Sequence, residues 1–473
     1  DTDGDGKCDK FSIFLDGLNI PSGVAVGHGG VWIANSPDIL FVPDADRDGK
    51  PDGPPQVVVT GFGRTDTHEL PNSLTWGPDG WLYGLNGVFN FSHVTYPPDS
   101  PWLKVGQAFQ PDPNAPKDVD SKNNAARPAG QPRKADLQTK FQFTCAMFRI
   151  HPRTREFQVF AEGTSNPWGI AFNDEGEAFV SACVIDHLWH IVETGYYHRQ
   201  GGPYPPFTWK IDSIVKHKHQ KAAYCGIHYF DSDAYPEQYR GKLYMGNIHG
   251  GCINVDKLQR DGSTYFATGE PDFLTANDAW FMPVVQKTGP DGCLYILDWY
   301  DRYHCYQDAN RDPAGIDRLK GRLYRVRYNG NASDAKSTTT KSGEPEGVSP
   351  RTTPPNKTPT KPEQSAGLRP AARQGSRVYP RMDLAKETDE QLIERLGANN
   401  DFIRWTATRL LQERNSEKLV DALERIVNTE LTSQLVARHT TFTLAGMTLE
   451  TPEELFAWLA ASADPILRAW SVR

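Results

Sequence analysis

One phrase recurs along the chain and limits what it can fold into. Residues 68–87 read HELPNSLTWGPDGWLYGLNG: a short apolar run, then Gly-Pro-Asp-Gly, then Trp-Leu-Tyr. Pro78 fixes φ, the Asp79 side chain closes its own turn, and Gly80 tolerates positive φ, so two strands around a tight turn are predicted. The phrase returns at residues 281–300 (FMPVVQKTGPDGCLYILDWY). Looser copies stand at 20–35 and 166–183, and a stretched one at 224–247. One hairpin written several times is the mark of a repeat architecture, and with strands it predicts an all-β propeller over residues 1–330.

Composition agrees. Net charge is −8, which excludes a basic nucleic-acid surface, and aromatics make up 11% of a chain rich in Gly and Pro. No run approaches the length of apolar sequence that a spanning helix needs. The chain opens without Met and inside what reads as a motif, so a mature or cut fragment is expected. None of the seven Cys forms CxxC or CxxCH, and most are expected to be small buried residues.

Residues 1–9 (DTDGDGKCD) and 44–52 (DADRDGKPD) share the pattern D-x-D-x-D-G-x-x-D, 43 positions apart. Alternate carboxylates in a tight turn converge, and Gly permits the bend, which is how oxygen ligands gather around calcium. The predicted ligands are Asp1, Asp3, Asp5 and Asp9, and then Asp44, Asp46, Asp48 and Asp52. Ser12 and Pro55 stand where an EF-hand needs Glu, so these loops are not EF-hands. Two solvated acidic turns are the alternative. Other polar groups read as scaffold. His187 and His190 would face opposite sides of a strand, so His187, His190 and His198 do not predict a metal cluster. His217 and His219, in KHKHQ, read as a solvated turn. Cys305 beside His304 lacks an oxyanion partner for nucleophilic work.

Residues 331–380 are Ser, Thr, Pro and Lys with almost no apolar content, a linker that cannot bury enough surface to fold. From 381 to 473 apolar residues fall at helical spacing. Segments at Arg404, Arg438 and Arg468, 34 and 30 apart, repeat one helix start. That period predicts an all-α solenoid of the HEAT or armadillo type, stopping inside its third copy, so the natural protein is expected to continue.

In order, the motifs are an Asp-rich loop, DGL-x-x-P-x-G, DTH, WGPDG-x-LY, NPWG, GPDG-x-LY-x-x-DWYD-x-x-HC, GRLYRV, a linker and helices. This order resembles the membrane-bound dehydrogenase family of planctomycete-type bacteria, whose propeller is similar to the soluble quinoprotein glucose/sorbosone dehydrogenases. The resemblance implies six blades, with the inner strands of the first preceding Asp1, and a c-type haem domain outside this chain. It implies His68 as the general base for a sugar or alcohol, beside pyrroloquinoline quinone. It implies Asp186 and Tyr197 near a calcium ion, with Asn166, His249 and Asp298 in the same funnel. Two positions depart from the family pattern: Ser165-Asn166 replaces Arg-Asn, and Cys183-Val184 replaces Gly-Pro. The expectation is an exported dehydrogenase-like protein, periplasmic or otherwise extracytoplasmic, passing electrons to that haem. The alternative is a binding module for a glycan, or for a protein partner held on the helical repeats.

Overall fold

The structure is a computed structural model describing residues 8–100, 139–202, 204, 207–219, 223–303, 310–315, 321–329, 382–427, 432–447 and 453–472. Asp1, Asp3, Asp5, His304, Cys305 and the 331–380 linker lie outside the described residues.

Three copies of the phrase fold as the turn chemistry dictates. In residues 77–81 the Gly80 amide donates to Gly77 O (3.0 Å), Gly77 N closes on Trp81 O (2.8 Å), and Gly80 takes φ +75°. The same bonds recur at Asn173–Gly176–Glu177 and at Gly289–Gly292–Cys293. The Asp side chain completes the turn: Asp79 accepts from Trp81 N (3.2 Å) and Asp291 from Cys293 N (3.0 Å).

These hairpins seed five antiparallel sheets. The first holds β1 (Gly23–Gly27), β2 (Gly30–Asn35), β3 (Asp38–Pro43) and β4 (Gln56–Thr60), with the hairpin β7 (Ser92–Thr95) and β8 (Lys140–Phe143) on its edge. The second holds β5 (Asn72–Trp76), β6 (Leu82–Asn86), β9 (Ala146–Ile150) and β10 (Phe157–Thr164), with β14 (Tyr196–Arg199) added in parallel. The third is β11 (Asn166–Phe172), β12 (Ala178–Cys183) and β13 (Leu188–Ile191). The fourth is β15 (Tyr224–Phe230), β16 (Lys242–Asn247), β17 (Cys252–Asp261) and β18 (Thr264–Thr275). The fifth is β19 (Pro283–Thr288), β20 (Leu294–Asp298) and β21 (Arg322–Val326).

The first strands pack in chain order, β1 on β5, β5 on β11, β11 on β15 and β15 on β19, as inner strands of a propeller do. Apolar layers fill the spaces between sheets, such as Trp32, Phe62, Phe148 and Phe157 between the first and second. Among the described residues β19 does not pack on β1 to a like extent, so five sheets form an arc where six blades were expected. Residues 11–18, whose text parallels that of β4, form no strand. Phe14, Leu15 and Leu18 instead lie on Val31, Ile33, Leu40 and Val42, and Phe11 and Ile13 face solvent.

Among the described residues six helices follow: α1 (Asp389–Arg395), α2 (Asp401–Arg414), α3 (Glu417–Val427), α4 (Gln434–Ala445), α5 (Glu453–Ala461) and α6 (Pro465–Trp470). They pair as α1–α2, α3–α4 and α5–α6, and the second members α2, α4 and α6 pack side by side. Side-chain caps at Asn400, Ser433 and Asp464 start those second members, which is the recurring start read from the sequence. Among the described residues no helix is long and apolar enough to cross a membrane.

The helices dock on the hairpin turns. Arg404, fully buried, binds Asp174 of the β11–β12 turn (2.9 Å) and Asp231 of the β15–β16 turn (2.7 Å). Asn400 Nδ2 donates to Gly289 O (3.3 Å), Gln412 Nε2 to Pro78 O (3.0 Å) and Trp470 Nε1 to Glu175 O (3.0 Å). His28 N, in the β1–β2 turn, donates to Glu413 Oε1 (2.8 Å). All five turns therefore meet the helices, and among the described residues no helix covers the opposite ends of the inner strands.

Candidate metal centre and the open face

Strand register decides which predicted residues share the open face. Asn166 pairs with Cys183, Tyr224 with Asn247, and Pro283 with Asp298. Asn166, Asp298, the residues after Asn247 that include His249, and Asp186 in the β12–β13 loop all lie at that end. His68 joins them in the segment leading into β5, where Trp168 Nε1 donates to its carbonyl (2.8 Å). Its exposed imidazole Nδ1 stands 3.0 Å from Asp66 Oδ1. Asp298 accepts from Met282 N and Tyr300 N, both at 2.8 Å. Asp186 takes the hydroxyl of Ser213 (2.6 Å).

Tyr197 is turned into the core instead. Its hydroxyl donates to His190 O (2.7 Å) and accepts from Val192 N (2.8 Å), so both capacities are spent. Of the pair assigned to a calcium and quinone site, Tyr197 is thus committed to the fold and Asp186 to Ser213. Ser165, where the family pattern has Arg, donates its hydroxyl to Cys183 O.

A residue the sequence reading passed over stands beside His68. Glu69 is 3% exposed, and its carboxylate accepts from the Phe89 amide. Burial raises this carboxyl to about 7 in spite of that bond, and the Asp66 charge adds to the rise. Gly87 has no side chain because a Cβ there would fall 2.3 Å from Glu69 Cβ.

The most concentrated chemistry lies in the seam between the third and fourth sheets. Asp256, on β17 and fully buried, receives three imidazoles. His187 Nε2 lies 2.8 Å from Oδ2, while His217 Nε2 (3.0 Å) and His219 Nε2 (2.9 Å) lie at Oδ1. One ligand atom from each of the four lies within 4.8 Å of the others. The register makes room: Asp256 pairs with Gly269, where a Cβ would stand 3.0 Å from His217 Nε2. Tyr224 stacks on His187 at 4.9 Å, and its buried hydroxyl has no partner among the described residues. Burial lowers the His187 imidazole and outweighs the pull of Asp256. Burial would raise Asp256, but the hydrogen bonds from His187 and His219 reverse it and hold the carboxyl well below its ordinary range. A neutral imidazole and an ionised carboxylate are the forms that ligate metals.

This corrects the reading of KHKHQ as a solvated turn. His190 points away from this cluster, to Glu177 (3.2 Å), and His198 to Asp212 (2.9 Å), as strand alternation requires. His187 finds its partners from a loop and a strand far along the chain.

In the second Asp loop, carboxylate oxygens of Asp44, Asp46 and Asp48 also lie within 4.8 Å of one another. Asp52 is not in that group. Its Oδ2 accepts from Ala45 N (2.6 Å) and closes the loop.

Residues 1–127 and 121–330 match the family described as a domain of unknown function, DUF7133. The chain belongs to the DUF7133 family. No curated protein matches this DUF7133 chain. It is distantly similar in structure to the quinone (PQQ)-bound aldose sugar dehydrogenase of Streptomyces coelicolor, at 14% identity and TM-score 0.31, over 66% of this chain and 96% of that one. A glucose dehydrogenase matches at 14% and 0.31 over 67% and 99%. The calcium-binding protein regucalcin of Agrobacterium tumefaciens matches at 11% and 0.29 over 66% and 92%.

Proposed function

We propose that this chain is a metal-binding propeller-like protein, holding one divalent transition metal on His187, His217, His219 and Asp256. The convergence of three imidazole nitrogens on one buried carboxylate carries the reading. Imidazole suits zinc, copper, iron and nickel, and a closed set of four nitrogen and oxygen donors suits structural zinc best. The ion would replace the hydrogen bonds that now join the four side chains, and would tie the KHKH loop to both sheets. Metal analysis after chelation and zinc reloading tests this, with cobalt(II) absorption reporting the geometry. One ion per chain, lost in Asp256→Asn and in His219→Ala, is expected. Equal metal content in wild type and both variants would sink the proposal.

A second reading is favoured by Glu69. In it, the open face oxidises a sugar or alcohol in the periplasm, and electrons pass to a haem domain outside this chain. A carboxyl held near neutrality, next to an exposed imidazole, is suited to take the substrate's hydroxyl proton. Dye-linked sugar oxidation after adding pyrroloquinoline quinone and calcium is the assay. Turnover that falls in both Glu69→Gln and His68→Ala supports it. No turnover with any sugar leaves the non-catalytic module, binding a glycan there or a protein on the helices.

A further inference from the structure

A cavity of about 470 Å³ opens where α2 meets the first two sheets. Its wall takes His28 from the β1–β2 turn, Arg47 from the second Asp loop, Arg153 and Arg155 from the β9–β10 turn, and Glu413 and Arg414 from the end of α2. Four guanidinium groups face one carboxylate, and that carboxylate is already shared. Glu413 Oε2 holds Arg47 (2.5 Å), while Oε1 takes Arg409 and the His28 amide. Arg414 is satisfied by Asp389 (2.7 Å), and Arg153 donates to the carbonyls of Gln412 (2.5 Å) and Glu413 (3.2 Å).

Arg155 is different. It has no ion pair among the described residues, and its Nη1 is buried without a hydrogen-bond partner. Its guanidinium carbon sits 4.4 Å from the Trp32 ring and 4.1 Å from the Phe41 ring. Its backbone takes φ +65°, a left-handed conformation that a non-glycine residue adopts at a cost. His28 Nε2 is likewise buried and without a partner. A half-buried cation on an aromatic bed, with one buried nitrogen unpartnered and no carboxylate beside it among the described residues, calls for an anion.

We propose that this cavity binds a small oxyanion, a phosphate, sulfate or carboxylate group, with Arg155 as its central cation and Arg153 and His28 beside it. Occupancy would join the helices to the first two sheets, and the proposal stands apart from the metal centre. Calorimetry and thermal unfolding of the full chain test it, with inorganic phosphate, citrate and glucose 6-phosphate against chloride at matched ionic strength. Phosphate should raise the melting temperature where chloride does not. Arg155→Gln should weaken binding roughly tenfold or more, the loss expected when a charge-assisted hydrogen bond goes. Arg155→Lys should keep part of it. Tighter binding of the sugar phosphate assigns an organic ligand, and equal binding assigns the free ion. If Arg155→Gln does not fold, Arg153→Gln on the same wall carries the same expectation. Phosphate acting no differently from chloride, or binding unchanged in the variant that folds, would overturn the assignment.

Discussion

The two ends of the sheets are built by opposite rules. At the covered end, three copies of one turn and two further strand connections present backbone carbonyls and Asp side chains, and the helices read them with Asn400, Arg404, Gln412 and Trp470. At the open end nothing repeats. His68, Glu69, Asn166 and Asp186 come from unlike segments, and the histidine cluster occurs once among the described residues. Repetition here serves assembly, and the chemistry sits where repetition stops.

The sharpest way to break this contrast is Arg404→Ala. Removing one partner of a buried pair leaves Asp174 and Asp231 uncompensated and should cost about 3–5 kcal/mol. Chemical denaturation measures the loss, and metal content should not change. An unaltered midpoint would mean that the turns do not hold the helices through this residue.

Next in size, Asp256→Asn should abolish metal binding and erase the rise in melting temperature expected when zinc binds the wild type. The covered end should stay intact, so unfolding should remain cooperative.

A smaller effect is set by pH. The folded Glu69 carboxyl ionises at about 7, against an ordinary 4.5. Between those values the native chain keeps a proton that the unfolded chain has lost, so stability from this group falls as pH rises through the window. Denaturation midpoints across that range should decline in wild type and flatten in Glu69→Gln. Parallel curves would show that the group does not titrate there.

The smallest effects sharpen the comparison. Gly269→Ala crowds His217 and should weaken zinc binding several-fold in a competition titration, with little change in fold. For the second Asp loop, a calcium-selective chelator should lower the melting temperature by only a degree or two, because that loop is a surface feature.

Much of the fold was legible because turns are local. Pro78-Asp79-Gly80 and Pro290-Asp291-Gly292 carry their geometry in three adjacent residues, and the starts of α2, α4 and α6 carry theirs in a capping side chain. Residues 11–18 show where that stops: a strand needs a neighbour, and no local text says whether one is there. The metal centre was illegible for the same reason. Asp256 lies 69 residues from His187 and 37 from His219, on sheets whose juxtaposition only the packing reveals. Two histidines at alternate positions were the one available signal, and only register shows that Gly269 leaves space for them. Glu69 looked like any loop carboxylate until burial set its ionisation.

Arg404 has a consequence for motion. It grips the third and fourth sheets through their turns, and the bonds of His187, His217 and His219 to Asp256 join the same two sheets a second time. A pair of ribs pinned twice cannot splay. Break the second pin, as Asp256→Ala would, and the ribs are left to the guanidinium and to the apolar seam of Phe179, Leu188, Ile227 and Met245.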